Sequence, residues 1–147
     1  MSYFNQRLNM RKYAILLVLL VSLVPISHTV APVCNVTVVD QSGETQAGIL
    51  VREVWQNYTL ELSGHEEDKR TDGTGVAFFP RRTMWRPYIA VGYGTLRNIL
   101  SQGVHASFGP RAYLMAWGNG KQAFSDEINR KQVFPQRLVL QPALRPQ

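Results

Sequence analysis

Arg70-Thr71-Asp72-Gly73-Thr74-Gly75-Val76-Ala77-Phe78-Phe79-Pro80 places a glycine-punctuated turn directly before an apolar run. Asp72 can bond its own backbone and Gly73 accepts a positive φ without steric cost, so the pair turns the chain. Val76 to Phe79 then reads as the start of a buried strand. Working outward, Cys34, Val36 and Val38 alternate with Asn35 and Thr37, which predicts a half-buried strand over Cys34 to Asp40. On the other side, Tyr88 to Tyr93 reads as the following strand.

More strands flank these. Asp40 to Glu44 is turn chemistry, and Gly48 opens Ile49 to Gln56, rich in β-branched and aromatic residues. Ile49, Val51 and Trp55 share a face with Glu53, which calls for either a bulge or a place at the sheet margin. Asn57 to Leu62 continues that strand or forms a short one. Ser63 to Arg70 reads as a charged connection, and Pro80 to Pro87 as a proline-bounded loop. Thr95 to Gly103 is equally readable as a short helix, capped by Thr95 and closed by Gly103, or as a strand. Val104 to Trp117 gives one or two strands broken at Gly109-Pro110. Gly118-Asn119-Gly120 turns the chain, Ser125 to Lys131 reads as one helical turn, and Gln136 to Gln141 as the last strand. Short strands separated by turns predict an all-β fold, an antiparallel two-sheet β-sandwich, over residues 32–142, with 143–147 as a tail.

The N-terminus is different. Met1 to Lys12 is polar and basic, while Tyr13 to Ile26 is apolar and uncharged. Such a run rises about 21 Å as a helix, short of the ~30 Å hydrocarbon layer, and reads as a signal helix over residues 1–31, with cleavage after Ala31. The expected location is secreted or periplasmic. The alternatives are an uncleaved anchor and a lipoprotein acylated at Cys34. Positions Ala31 and Val33 do not match a lipobox, and a small buried hydrophobe at a strand head fits Cys34 better.

Of the +6 formal charge, Arg7, Arg11 and Lys12 belong to the leader, and beyond Ala31 thirteen basic side chains face ten acidic ones. That mild excess, without a basic stripe, argues against nucleic acid as a partner. Cys34 is the one cysteine, so no disulfide staples the chain and its core must hold it.

Asp40-Gln41-Ser42-Gly43, the Thr71 to Pro80 segment and Tyr88-Ile89-Ala90-Val91-Gly92-Tyr93 together resemble the carboxypeptidase regulatory-like, or transthyretin-like, β-sandwich domains of exported bacterial proteins. The resemblance covers about residues 34 to 94 and implies fold rather than chemistry. Hydroxyisourate hydrolases of related shape end in Tyr-Arg-Gly-Ser, whereas this chain ends Leu144-Arg145-Pro146-Gln147.

Reactive constellations are not evident. His65, Glu66, Glu67 and Asp68 are consecutive, so on an extended chain they alternate sides instead of converging on a metal. No nucleophile elbow or phosphate-cradling loop occurs, and no cofactor motif. The reading is a non-catalytic exported module with a binding or structural role at the cell envelope. Its candidate site is Arg81, Arg82, Trp85 and Arg86, where an exposed tryptophan among arginines would meet an envelope glycan or protein. A small hydrolase or a metal-binding periplasmic protein is the alternative.

Overall fold

A computed structural model describes residues 2–128 and 133–142. In chain order the elements are helix α1 (Ser2–Ser22) and strands β1 (Pro25–Ala31), β2 (Cys34–Val39), β3 (Leu50–Asn57), β4 (His65–Arg70), β5 (Val76–Phe79) and β6 (Arg82–Pro87). Helix α2 (Tyr88–Gln102) and a 3-10 turn at Gly103–His105 follow. Strands β7 (Pro110–Gly118), β8 (Lys121–Phe124), β9 (Arg137–Val139) and β10 (Gln141–Pro142) complete the described chain. The strands form three sheets: a ribbon β1-β6, a five-stranded sheet β10-β8-β7-β3-β4 and a three-stranded sheet β5-β2-β9. The molecule is β-rich, as expected.

The two Asp-x-x-Gly turns set the frame. Asp72 Oδ1 accepts from the Thr74 amide at 2.8 Å, the Thr74 hydroxyl at 2.6 Å and the Val76 amide at 3.0 Å. Asp40 Oδ1 does the same for Ser42 N, Ser42 Oγ and Glu44 N. These bonds favour the ionised form and hold both carboxyls below the ordinary range. The residue with positive φ is Gly75, at +79°, and not Gly73; its counterpart is Gly43 at +89°. Asn119 and Gly120, both at positive φ, form the two-residue β7–β8 hairpin loop that Gly118-Asn119-Gly120 predicts.

One apolar cluster joins the sheets. Cys34, Val36 and Val38 of β2, Ala77 and Phe79 of β5, Val51 of β3 and Ala112, Leu114 and Ala116 of β7 are buried together, with Leu138, Leu140 and Ala31. The alternation read from Cys34 onward is therefore the core face of β2. Burial, and secondarily the Glu53 carboxyl, pushes the Cys34 thiol up to about 12. Cys34 should thus resist alkylation in the native protein at about pH 8, where an ordinary thiol is partly ionised. Native labelling as fast as in urea would contradict this.

Several expectations are corrected. Ser63 to Arg70 is not a loop: residues from His65 form the edge strand β4, whose charges suit a strand that must not pair with another chain. Asn57 ends β3, and Leu60 N and Glu61 N close a turn on its carbonyl. Arg82 to Pro87 is a strand and not a loop, because β1 offers it a ladder from Pro25↔Pro87 to Ala31↔Arg82. Tyr88 to Tyr93 is the first half of a helix, so the part of the family resemblance resting on a strand there does not hold. Thr95 lies inside that helix and bonds back to Val91 O at 2.8 Å instead of capping it, while Gly103 does close it. Val104 to Trp117 supplies one strand, β7. The described part of Ser125 to Lys131 is not helical, since Ile128 bridges Ala112; residues 129–131, like the tail 143–147, lie outside the described residues. Gln136 to Gln141, expected as one last strand, is divided: β9 pairs parallel to β2, and Gln141 belongs to β10, antiparallel to β8.

The leader's final residues are built in. His28, Val30 and Ala31 are buried, and β1 lies against β3 and β7. A register shift at Val30 lets two consecutive residues, Val30 and Ala31, face inward.

Candidate functional site

Glu53 occupies neither a bulge nor a margin. It sits in unbroken register in the middle of β3, between β4 and β7, with no exposed surface. A carboxylate there needs a cation. Arg82, reaching in from the last pair of the β1–β6 ribbon, supplies one: its Nε donates to Glu53 Oε2 at 2.8 Å and its Nη2 to Glu67 Oε2 of β4. The Arg82 guanidinium lies 4.3 Å above the Trp55 ring, and Trp55 stacks on His65 at 5.6 Å. Lys69 Nζ stands 3.5 Å from Glu67 and donates to Phe78 O at 2.8 Å. Burial raises the Glu53 carboxyl above the ordinary carboxylate value despite Arg82. Glu67 is held below it, since Arg82 and Lys69 outweigh its partial desolvation.

The opposite face of the sheet carries a separate network. Arg52 forks onto Asp68, at 2.6 and 2.8 Å, and also reaches Glu66 at 2.9 Å. His65 and Glu67 thus point one way and Glu66 and Asp68 the other, the alternation expected of consecutive residues. Among the described residues no three His, Cys, Asp or Glu side chains converge to hold a metal ion. His65 bonds Glu61 at 2.7 Å at the edge strand, His105 is exposed beyond α2, and His28 is buried beside Arg86 O at 3.2 Å.

The four predicted site residues are divided. Arg82 is committed to Glu53 and Glu67, inside the molecule. Arg81, Trp85 and Arg86 remain exposed, Trp85 at 63%. Alternation along β6 puts Trp85 on the face opposite Arg82. A groove lined by Trp55, Tyr58, Arg111, Tyr113 and Glu127 measures about 140 Å³. That is well below the ~300 Å³ of small-molecule sites.

Sequence reasoning missed the larger surface. In α2, Val91, Gly94, Thr95 and Asn98 face the body, while Tyr88, Ile89, Tyr93, Leu96 and Leu100 are exposed. The helix is docked by its small and polar side. Asn98 Nδ2 donates to Tyr58 O and to Ser107 O at 3.1 Å, and a methyl group on Gly94 would overlap the Thr59 carbonyl oxygen. The signal was the spacing of Ile89, Tyr93, Leu96 and Leu100 at four, three and four residues, a helical stripe that a strand ending at Tyr93 cuts in two.

No family model, curated protein or solved structure matches the chain.

Proposed function

We propose that the chain is an exported, non-catalytic module that works by binding at the cell envelope. In this reading its three-stranded and five-stranded sheets stack as a sandwich of the carboxypeptidase regulatory-like type across their common core. One observation carries it: the charges that enter the interior are spent on holding the β1–β6 ribbon to the sheet, while the unmatched surface lies at the far end of that ribbon. There Trp85, with Arg86 next to it, stands beside the exposed apolar residues of α1 and α2. Arginine and indole together suit an anionic glycan or an acidic protein surface.

Three forms were open: a module freed by cleavage after Ala31, one held by its leader, and a lipoprotein acylated at Cys34, whose burial in the core speaks against acylation. The burial of Val30 and Ala31 and the pairing of β1 along β6 favour the held form, since cleavage there would strip a core strand. Expressed in a bacterial host, the chain should fractionate with the envelope and resist salt extraction, and its intact mass should still include Pro25 to Ala31. A soluble secreted species starting at Pro32 would refute this reading.

A further inference from the structure

We infer that the outward face of α2 lies in the headgroup region of an anionic lipid bilayer that also covers α1; this rests on the envelope-held reading above. The geometry begins at the ribbon. α1 ends at Ser22, with two residues between it and β1, and α2 begins at the residue after β6. Pro25 and Pro87 are paired, so both helices leave the ribbon at the same end. They also touch, Tyr88 of α2 lining a groove with Leu17, Val18 and Val21 of α1. Whatever covers one helix must therefore reach the other.

The occupant follows from the character of α1. Every described side chain from Met10 to Val21 is exposed, and Tyr13 to Val21 is an uncharged apolar run with no polar face. A helix apolar all round is matched by lipid and not by a protein groove, which covers one stripe. α2 is instead two-sided, and its outer residues Tyr88, Ile89, Tyr93, Leu96 and Leu100 include two tyrosines of the kind that settle at membrane interfaces. No helix among the described residues is long and apolar enough to cross a membrane. The two-sided α2, its polar side held to the body and its apolar side outward, is the kind of helix that lies along the interface.

Charge points to the same surface. No acidic residue occurs between Met1 and Val39 or between Gly73 and Ser125, the stretches that hold α1, β1, β6 and α2. Arg11 and Lys12 of α1, Arg86 of β6 and Arg97 of α2 belong to them, so this end of the molecule is basic and apolar at once. That combination attracts anionic headgroups, and the attraction weakens with salt.

The full chain carrying Leu100→Cys, labelled there with an environment-sensitive dye, tests this, because buried Cys34 stays unlabelled. With vesicles of phosphatidylcholine and phosphatidylglycerol the dye should shift to the blue. The shift should be weaker with phosphatidylcholine alone and in high salt. A dye at Thr74→Cys, on an exposed turn of the three-stranded side, should not respond. Leu96→Glu with Leu100→Glu should lower vesicle affinity about tenfold or more. A chain that binds vesicles while the Leu100 dye stays wet, or that loses no affinity on the double substitution, overturns the role of α2 and leaves the envelope-held reading standing. A blue shift that grows with protein concentration without vesicles would assign the face to a second copy and overturn the inference as well. Loss of envelope retention by the unlabelled parent protein would overturn the earlier reading itself.

Discussion

Arg82→Met is expected to lower folding stability by about 3–5 kcal/mol, because it strands a buried carboxylate. Glu53 has one oxygen on Arg82 Nε and the other, Oε1, already without a partner. Losing the guanidinium would leave both oxygens desolvated in the middle of a five-stranded sheet, and Glu67 and the Trp55 ring would lose their cation too. The measurement is a urea titration, where the midpoint should fall and the slope stay unchanged. Adding Glu53→Leu to Arg82→Met should recover most of the loss, since a buried ion pair replaced by apolar residues of similar volume is often neutral. If the single and double substitutions are equally destabilised, packing and not charge is what Arg82 provides.

The pH dependence of that pair has a definite sign. The Glu53 carboxyl is raised in the folded state, chiefly by burial, so the native protein binds its proton more tightly than the unfolded chain. Its charge therefore penalises folding above the folded value, and the penalty shrinks as the pH falls below that value and is gone below the unfolded one. Arg82→Met enlarges the penalty, so its deficit should be smaller at about pH 5 than at about pH 7. Asp40, Glu67, Asp68 and Asp72 act in the other direction. Their carboxyls are held low, and the stability they contribute above the unfolded value is lost as the pH falls through the folded one.

The parts legible in the sequence are those where local chemistry decides. An Asp followed three residues later by Gly gives the same hydrogen-bonded turn at Asp40 and Asp72, and alternation from Cys34 gives the buried face of β2. What was not legible depends on partners distant along the chain. Glu53 looks misplaced until Arg82, 29 residues on, is brought over it. His65 to Arg70 has a loop's composition, yet β3 provides a ladder for it. Arg82 to Pro87 read as a loop because its partner, β1, lies in a segment first set aside as a removable leader. With that partner absent from consideration, neither the strand nor the helix that continues from it could be placed. The same omission hid the surface: Trp85 reads as an exposed aromatic, and α1 as a helix, but the helix option over Thr95 to Gly103 covers only the second half of α2.

Two glycines two residues apart in α2 should respond to alanine with opposite signs. Nothing lies within 4 Å of a Cβ placed on Gly92, which faces solvent, so Gly92→Ala should stabilise the helix by about 0.5–1 kcal/mol through backbone entropy alone. At Gly94 the same methyl would meet the Thr59 carbonyl oxygen, a backbone atom that cannot rotate away. Thr59 is fixed in turn, since its hydroxyl accepts from Gly109 N at 2.9 Å and its amide donates to Asn57 Oδ1 at 3.2 Å. Gly94→Ala must then push α2 outward, stretching the Asn98 bonds to Tyr58 O and Ser107 O, and a net loss of about 1–3 kcal/mol is expected. Hydrogen exchange locates the effect: α2 amides should lose protection well before those of β3, because the helix is held to the body by this polar seam and not by apolar burial. If Gly94→Ala stabilises as much as Gly92→Ala, α2 is not seated on Thr59, and its apolar side is free to turn inward.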